Sequence, residues 1–469
     1  MSKLTELELR VLSRIRPARE EYELIWSTCR RVVNVLNAAL KKHGIDVEVT
    51  IQGSVAHDTW LSGDRDVDVF VLFPEEWSRE DIERKGFPLL LEATRELGQH
   101  ELRYAEHPYI HVVVENIEID VVPGLRLQDP TLAKTAVDRT PFHTKYLNSV
   151  LTDELRDHIR LLKKFMKAIG VYGAEVKTRG FSGYATELLV VAHGGFREVL
   201  EAASRWKPPV FINTLETAFS DDFIRALRSK YPDSCIYMPD PVDPLRNVTA
   251  SVSLRSLATL IIASKCYLKS PDMVFFEEPS ELGVDELLKA LKNRCVLFLT
   301  YNLEEKLPPD VIWGEVQRVS SRLVKLLEVF GVNVVDYSSW TNEKDVGVVV
   351  VELGSCILWN YKHYRGPCIV HDDERLVNFI RKHVGKGYGP WITSEGCLES
   401  MDIRSEVDIV KLLESRWSEY TVAPHLKAVK PSIGVASRGL ILKLLEEGAG
   451  RWLRDFILKT PSWMEKCTF

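Results

Sequence analysis

The sequence predicts a multidomain α+β protein. With 469 residues, the chain is longer than a single hydrophobic core usually serves, so about two to four domains are expected. Its first part combines a helical run with strand-like alternation, and its middle part is dominated by amphipathic helical runs. Strands and helices alternate again in the last part. We therefore expect domains at residues 1–138, 139–268 and 269–469.

A helical stretch over residues 4–43 opens the chain. Pro17 is expected to separate two helices, and Gly44 to end the second. A strand over residues 47–52 follows. We interpret the helical stretch as support for the segment that comes after it.

The stretch QGSVAHDTWLSGDRDVDVFVLFP, residues 52–74, carries the strongest functional signal. Its end alternates acids with valines, so in a strand Asp66 and Asp68 share one face, with Cα atoms about 7 Å apart. Carboxylates that close repel each other unless a cation lies between them, and oxygen ligands suit a hard ion such as Mg²⁺. Gly53 allows a close backbone approach, and the Ser54 hydroxyl can hold phosphate oxygens.

A strand whose exposed face happens to carry acids would explain a bare D-x-D equally well. A hairpin with strands over residues 109–114 and 117–123 supplies further acids. Asp120 is the candidate third carboxylate of a two-metal site, and Glu118, on the same face, is its rival. From the residues alone the two rank nearly equally. Asp58 and Asp64 lie in turn-like surroundings and are interpreted as solvated loop acids.

The spacing of Gly53-Ser54 and Asp66-x-Asp68 resembles the signature of the nucleotidyltransferase superfamily whose catalytic palm is shared with DNA polymerase beta. The longer motif, GSVAHDTWLSGDRDVDVFVLFP, resembles that of the archaeal, class I CCA-adding enzymes, which finish the 3′ end of tRNA. The resemblance covers nearly the full length. It implies a polymerase-beta-like palm and a helical poly(A)-polymerase-like central domain.

The resemblance also assigns the catalytic residues. It implies that Asp66, Asp68 and Asp120 are the catalytic carboxylates and bind two Mg²⁺ ions, because the I-D-V-V-P wording selects Asp120 over Glu118. The implied substrates are CTP, ATP and the acceptor arm and 3′ end of tRNA.

The resemblance places Gly53, Ser54, His143, Lys163 and Tyr172 against the triphosphate. A lone histidine is more often structural, but His143 ends the family's R-T-P-F-H wording. Lys163 belongs to a predicted helix over residues 154–169, whose basic side would ordinarily be solvated. Beside three carboxylates, however, one lysine is expected to neutralise phosphate charge. Lys164 is the rival of Lys163 in register.

Two motifs of the middle region also resemble sequence motifs of the family. Ser182, in the segment RGFSGYATELL, is a good N-cap for a buried helix, and a structural role suffices to explain it. Arg246, in DPVDPLRNV, would by itself be a surface arginine. The resemblance makes it the residue that contacts the incoming base, and a planar fork of donors suits the acceptor edge of cytosine.

From residue 270 the pattern predicts strands over 294–301, 333–337 and 346–353, with helices over 310–330 and 372–383. This order suggests an RRM-like α+β C-terminal region, although no RNP aromatic signature supports base stacking on its strands. Basic residues exceed acidic ones in the last segment, residues 424–469, where a solvated helix face competes with an RNA-phosphate contact. The basic residues are Lys427, Lys430, Arg438, Lys443, Arg451, Arg454, Lys459 and Lys466, against Glu446, Glu447, Asp455 and Glu465.

Composition limits the function classes. Hydrophobic residues at 45% and charged residues at 27% are ordinary globular values. A net charge of −6 argues against a protein that coats nucleic acid unspecifically. No apolar run reaches the length of a membrane span, and the start, MSKLTELELRVL, is unlike a signal peptide.

The eight cysteines are scattered, and none forms a C-x-x-C pair, so neither zinc ligation nor a thioredoxin-like site is supported. We therefore expect a cytoplasmic protein in a reduced compartment, with no membrane partner. The oligomeric state stays open, with a homodimer as one candidate.

Together these features indicate template-independent addition of C, C and A to tRNA from CTP and ATP, with release of pyrophosphate. Three alternatives remain: template-free poly(A) addition, transfer of a nucleotide to a small molecule or protein, and an RNA-binding protein with an inactive palm. The large C-terminal half argues against the second alternative. The intact Asp66, Asp68 and Asp120 argue against the third.

Overall fold

The structure, a computed structural model, describes residues 3–104, 107–133, 135–215, 217–404 and 406–467. The chain divides into two compact units by its internal contacts. Unit 1 comprises the chain up to Pro279 and again from Pro461 onward, and unit 2 comprises Ser280–Thr460. The expected boundary at residue 138 falls inside unit 1, and the expected C-terminal domain differs from unit 2 at both ends. The functional division into three domains stays a prediction.

A mixed sheet carries the acidic segment in unit 1. Its strands are β1 (Glu48–Gln52), β2 (Asp66–Phe73), β3 (Gln99–Tyr104), β4 (Pro108–Val114) and β5 (Ile117–Leu125). They lie in the order β1-β2-β5-β4-β3, in which β2 and β5 are parallel and the other neighbours antiparallel. The strands predicted over 47–52, 109–114 and 117–123 are confirmed, whereas β3 was missed. Apolar residues of β2 and β5 are buried on one face, so their acids lie together on the other.

Helices surround this sheet and form a second core in unit 1. They are α1 (Glu6–Ile15), α2 (Arg19–Lys42), α3 (Gly53–His57), α4 (Arg79–Asp81), α5 (Phe87–Arg95), α6 (Ala136–Val150), α7 (Asp153–Ala168), α8 (Gly183–His193), α9 (Phe196–Ala203), α10 (Asp221–Lys230) and α11 (Leu254–Lys269). A short parallel pair, β6 (Val210–Phe211) and β7 (Ile236–Tyr237), accompanies them. α2 and α5 pack on the sheet, while α1, α7, α8, α9 and α11 build a helical core.

Local sequence explains where these helices begin and end. Pro17 separates α1 from α2, and Gly44, with a positive φ of 70°, follows the end of α2. Both predictions are confirmed. Ser182 caps α8 by accepting a hydrogen bond from the Ala185 amide, which confirms the predicted N-cap.

Unit 2 contains two antiparallel sheets. In chain order its elements are α12 (Val284–Leu291), β8 (Cys295–Asn302), α13 (Pro309–Val329), β9 (Val334–Thr341), β10 (Val346–Leu353), β11 (Tyr361–Cys368), α14 (Asp373–His383), β12 (Gly387–Ile392), β13 (Cys397–Ile403), α15 (Ile409–Ser415), α16 (Trp417–Tyr420), β14 (Ser432–Val435), α17 (Arg438–Glu446) and α18 (Gly450–Leu458). The sheets have the orders β14-β8-β10-β9 and β11-β13-β12. Among the described residues of both units, no helix is long and apolar enough to cross a membrane.

The predicted strand, helix, strand and strand of unit 2 are present as β8, α13, β9 and β10. The second helix of the expected module differs. α14 packs on β11, β12 and β13 rather than on the sheet that contains β8. Its amphipathic pattern indicates a buried face but does not reveal which sheet covers that face. The RRM-like assignment stays a prediction.

The cysteines differ from the reduced state that the sequence suggests. Disulfides join Cys266 to Cys467, Cys295 to Cys356 and Cys368 to Cys397, while Cys29 and Cys235 are free. The paired residues are far apart in sequence, and their connectivity cannot be deduced from spacing. The first disulfide lies within unit 1, and the other two lie within unit 2.

Candidate functional site

Four acids face one another on neighbouring strands of the unit 1 sheet. In the parallel register of β2 and β5, Asp66 pairs with Glu118, and Asp68 pairs with Asp120. Burial raises the pKa of Asp68 to about 6, and the charges of Asp120 and Asp66 add to this effect. Burial also raises the pKa of Asp66, with a further contribution from Glu118. The structure therefore brings together Asp66, Asp68 and Asp120, which the sequence predicted to act together, and places the rival Glu118 on the strand beside Asp66.

A histidine distinguishes the two rival acids of β5. His111, on β4, is buried, and its Nδ1 lies 2.7 Å from Oδ1 of Asp120. Its Nε2 lies 3.9 Å from Oε2 of Glu118, beyond hydrogen-bond distance. The side chain of Asp120 is 34% exposed and that of Glu118 is 56% exposed. Asp120 is thus the more enclosed and more firmly oriented carboxylate.

Gly53 brings the backbone directly against Asp68. Its φ of 67° lies in the left-handed region, and a Cβ built there would overlap Oδ2 of Asp68. Gln52, the residue before it, pairs with Asp68 across β1 and β2. Ser54 lies in the first turn of α3 and is half-buried. The Gly53-Ser54 segment therefore lies beside the carboxylates, as the phosphate-holding interpretation requires.

The carboxylates form an incomplete metal cage. Among the described residues, no group of three or more His, Cys, Asp or Glu side chains could hold a metal ion by itself. Asp66 and Asp68 nevertheless fit a divalent cation, because a cation would offset the burial and the mutual repulsion that raise their pKa values. Mg²⁺ is usually held by one or two carboxylates together with substrate phosphates and water, rather than by a complete protein cage.

Lys163 lies in a buried network instead of on an open basic surface. Its Nζ donates to Thr59 Oγ1 at 2.9 Å and to Glu187 Oε1 at 3.1 Å. Although burial opposes the charge of Lys163, the partner carboxylate raises its pKa above the ordinary value. Burial likewise opposes the charge of Glu187, but Lys163 and His57 hold its pKa well below the ordinary value. His57 also contacts Thr144 Oγ1 at 3.0 Å.

The basic side of α7 is covered by the loop between α3 and β2. Arg160 is 3% exposed and donates to the backbone oxygens of Trp60 and Asp58. It also bonds the Asp58 carboxylate at 2.5 Å, and Lys167 bonds Asp64 at 3.0 Å. Asp58 and Asp64 are thus partly exposed loop acids, at 41% and 37%, but each is also paired with a basic side chain of α7, which the sequence did not predict. A local pattern could not show that this loop folds over α7.

Lys164 lies on α7, and Tyr172 follows the end of that helix. The ammonium group of Lys167 lies 5.5 Å from the ring centroid of Tyr172. Tyr172 also forms a bridge with Phe181, just before α8. Lys164 is half-buried, whereas Lys163 is almost fully enclosed.

His143 and Arg246 meet at one carboxylate. Asp240 Oδ2 lies 2.8 Å from Nε2 of His143 and 2.9 Å from an Nη of Arg246. The ring of His143 stacks on that of Tyr184, with centroids 4.0 Å apart. Tyr184 donates to the other oxygen of Asp240 at 2.9 Å. Two residues predicted to contact the nucleotide are therefore held by Asp240, an acid for which no role was predicted.

Several basic residues of the segment 424–469 have acidic partners. Within the described part of that segment, several bases pair with acids: Arg438 with Asp285, Arg454 with Asp455, Lys459 with Asp336, and Lys466 with Asp272. Lys466 belongs to unit 1, and the other paired bases belong to unit 2. The RNA-phosphate interpretation stays a prediction.

Comparison with known proteins identifies the family. A model described as "Nucleotidyltransferase domain" matches residues 32–143, and one described as "tRNA nucleotidyltransferase, second domain" matches residues 157–277. A protein of Saccharolobus shibatae named CCA-adding enzyme is 38% identical over 469 residues, which is 98% of this chain and 100% of the relative. The chain belongs to the CCA-adding enzyme family. A CCA-adding enzyme of Saccharolobus islandicus is 37% identical, with the same coverage.

Solved structures match the chain over a shorter part. One, titled "Structural Basis for the Activity of a Cytoplasmic RNA Terminal U-transferase", covers 58% of this chain and 98% of its own. Its sequence is 14% identical and its TM-score is 0.45. The identification of the family therefore rests on the full-length relatives.

Sequence reasoning missed Asp240, Glu187, His57 and His111 as site residues. Asp240 and Glu187 belong to motifs noted for their prolines and for a helix cap, and each is a fully or almost fully buried acid. A buried acid requires partners, but burial itself depends on long-range packing. An acid inside an otherwise apolar helix, such as Glu187 in GYATELLVV, was the one available signal.

Proposed function

We propose that this chain adds C, C and A in turn to the 3′ end of tRNA, from CTP and ATP, without a nucleic-acid template. The observation that carries the proposal is the alignment of Asp68 with Asp120 in neighbouring strands, directly against Gly53. Carboxylates beside a glycine approach suit a site for the triphosphate of a nucleotide. The full-length similarity to CCA-adding enzymes supports tRNA as the acceptor.

In this proposal the terminal hydroxyl of tRNA attacks the α-phosphate of the nucleotide, the bond to the β-phosphate breaks, and pyrophosphate leaves. Asp66 and Asp68 would hold Mg²⁺, and Asp120 would complete the carboxylate set for two ions. Such ions would neutralise charge at the phosphates and lower the pKa of the attacking hydroxyl. His111 keeps the Asp120 carboxylate in one orientation.

The remaining residues bind and select the nucleotide. Gly53, Ser54, His143, Lys163 and Tyr172 hold the triphosphate, and Arg246 contacts the base. Lys163 reaches the phosphates only if it shifts away from Glu187, to which it is bonded here. Because Arg246 presents hydrogen-bond donors only, it favours bases with acceptors along the contacted edge. We also propose that unit 2 is an RRM-like α+β region that contacts tRNA, and that the protein works in the cytoplasm.

The test uses purified protein, Mg²⁺ and three tRNA transcripts that end before CCA, after C and after CC. Each is incubated with labelled CTP or ATP, and the products are resolved at single-nucleotide length. Ordered addition of C, C and A that stops there supports the proposal. Continued addition of A without use of CTP would instead support poly(A) addition.

Asp66→Ala and Asp68→Ala proteins serve as controls for carboxylate dependence. We expect neither to extend any transcript. If the unaltered protein binds tRNA tightly but extends none of the transcripts, the inactive RNA-binding alternative is correct.

A further inference from the structure

The DPVDP segment contains a carboxylate that the proposed reaction does not use directly. Asp240 is fully buried, in a loop between β7 and α11. A buried carboxylate is costly unless hydrogen bonds and neighbouring charges compensate it. Its partners therefore indicate what the residue is for.

Four donors converge on the two oxygens of Asp240. Oδ2 contacts Nε2 of His143 at 2.8 Å and an Nη of Arg246 at 2.9 Å. Oδ1 accepts from the Tyr184 hydroxyl at 2.9 Å and from the Val242 amide at 3.0 Å. Burial alone would raise the pKa of Asp240. The hydrogen bond from His143 and the charge of that residue are the main causes that hold the pKa of Asp240 below its ordinary value. The group is therefore an ionised acceptor.

An ionised acceptor fixes both nitrogenous partners. Because a carboxylate can only accept, the Nε2 of His143 that faces it must carry a proton. This hydrogen bond fixes the orientation of the imidazole ring. The stacked ring of Tyr184 restricts the same imidazole. Arg246 commits one Nη to Asp240, and its side chain is 30% exposed. Within the described part of the chain, its Nε and second Nη have no hydrogen-bond partner.

We propose that Asp240 is a positioning residue that holds Arg246 and His143 in one fixed arrangement, so that discrimination among incoming bases depends on it. This inference rests on the proposed function. Cytosine offers acceptors at N3 and O2, whereas uracil carries a hydrogen on N3. An immobile set of guanidinium donors accepts the first pattern and rejects the second, but a mobile guanidinium can turn away from the conflict.

The arrangement also connects base contact to the phosphate end of the site. His143 precedes Thr144, and Thr144 contacts His57, which in turn contacts Glu187. Glu187 bonds Lys163. The hydrogen bond between Asp240 and His143 and the network that links Thr144 to Lys163 are thus joined by the backbone between His143 and Thr144.

The test compares Asp240→Asn with the unaltered protein on tRNA that lacks CCA. The asparagine keeps the shape but removes the charge and one acceptor. We expect the ratio of kcat/KM for CTP to that for UTP to fall about tenfold, the scale of one arginine contact to a base edge. The thermal midpoint of unfolding is measured alongside. An unchanged ratio, including an equal loss of kcat/KM with CTP and UTP, would overturn the inference.

Asp243→Asn is the matched control. Asp243 belongs to the same loop but forms its ion pair with Arg139, at 3.3 Å, rather than with Arg246 or His143. We expect this variant to keep the CTP to UTP ratio. A loss of the ratio in both variants would show that the loop as a whole, and not the Asp240 carboxylate, determines selection.

A double variant tests whether Asp240 acts through Arg246. If it does, Asp240→Asn combined with Arg246→Ala loses no more discrimination than Arg246→Ala alone. Additive losses would contradict this route. If Asp240→Asn fails to fold, Tyr184→Phe removes one donor to the same carboxylate, and a smaller fall in the ratio, about threefold, is expected for the loss of a single hydrogen bond.

Failure of the proposed function remains distinguishable from failure of the inference. If the unaltered protein extends tRNA in order while Asp240→Asn keeps its ratio, only the inference fails. If the unaltered protein extends no transcript, the proposed function fails. Binding of CTP and UTP to both proteins, measured by calorimetry, then decides the inference: equal CTP preference in the two proteins would overturn it.

Discussion

Oδ2 of Asp68 occupies the space that a side chain at Gly53 would need. The glycine combines this close approach with a left-handed backbone, at a φ of 67°. We predict that Gly53→Ala loses at least about 100-fold in the rate of CTP incorporation, because the added carbon displaces the Asp68 carboxylate. The left-handed alanine should also cost about 1–2 kcal/mol of stability. Single-turnover extension and thermal unfolding measure the two effects.

Gly63→Ala provides the matched control for that variant. Gly63 also has a positive φ, of 86°, but a Cβ there would meet nothing within 4 Å. Its stability should fall by a similar amount while extension stays near the unaltered rate. If both alanine variants lose activity equally, the close approach to Asp68 is not the cause.

Asp120→Asn and Glu118→Gln separate the two acids of β5. Asp120 pairs with Asp68 in register and is oriented by His111, whereas Glu118 is more exposed. We expect Asp120→Asn to reduce the extension rate by roughly 100- to 1,000-fold, as the loss of a preorganised electrostatic group does. Glu118→Gln should change it less than about tenfold, since an exposed charge is screened. The reverse order of losses would transfer the third catalytic role to Glu118.

Glu187→Gln should destabilise unit 1 at neutral pH. It would leave the charge of Lys163 buried without its carboxylate, and breaking such a pair costs about 3–5 kcal/mol. The position of the unfolding midpoint in urea measures the loss. A change below the error of that measurement would show that the buried pair contributes no net stability.

The effect of Glu187 should diminish in acid. Its pKa in the folded protein lies below the ordinary value of 4.5. Its stabilising contribution is therefore fully present above pH 4.5. As pH falls below that value, the unfolded chain takes up the proton first, and the contribution is lost as pH approaches the folded pKa. The stability difference between the unaltered protein and Glu187→Gln should thus shrink below pH 4.5, and a difference that stays constant there would contradict the lowered pKa.

The disulfides predict a thiol count. Alkylation of the denatured, unreduced protein should modify two cysteines, Cys29 and Cys235, whereas alkylation after reduction should modify all eight. Intact mass measures both numbers. Modification of all eight cysteines without reductant would contradict the disulfides and support the reduced state that the sequence suggests.

Cys266→Ser should lower the stability of unit 1 by roughly 2–4 kcal/mol, because its disulfide with Cys467 joins the two segments of unit 1 and closes a loop, with a sequence separation of 201, that contains the whole of unit 2. Cys235→Ser, which removes a free thiol, is the control and should leave the thermal midpoint nearly unchanged. Both variants are compared with and without reductant. Under reductant the difference between Cys266→Ser and the unaltered protein should become small.

Features determined by local pattern were predictable. The alternation of acids and valines determined the shared face of Asp66 and Asp68, and the hairpin brought Asp120 to a neighbouring strand. Pro17 and Ser182 marked helix ends through their backbone chemistry. In each of these cases, the cause lies within a few residues along the chain.

Features determined by distant contacts were not predictable. Lys163 and Glu187 are 24 residues apart, and His143 and Asp240 are 97 apart, so neither pairing has a local signal. The same reason explains why the partner of Asp58 was missed, because Arg160 lies in α7, 102 residues further along the chain. α14 has a helical pattern, but which sheet it covers depends on how strands pair far along the chain.

The return of the chain to unit 1 at Pro461 has a consequence for synthesis. Trp463 is buried in the helical core, which α1 and α7 help to build from the beginning of the chain. During translation, Trp463 is synthesised only after the whole of unit 2, so the helical core cannot be completed until then. A ribosome paused within unit 2 would therefore hold an unfinished unit 1, and a nascent chain cut short before Pro461 would leave that core open however well the first 279 residues had folded.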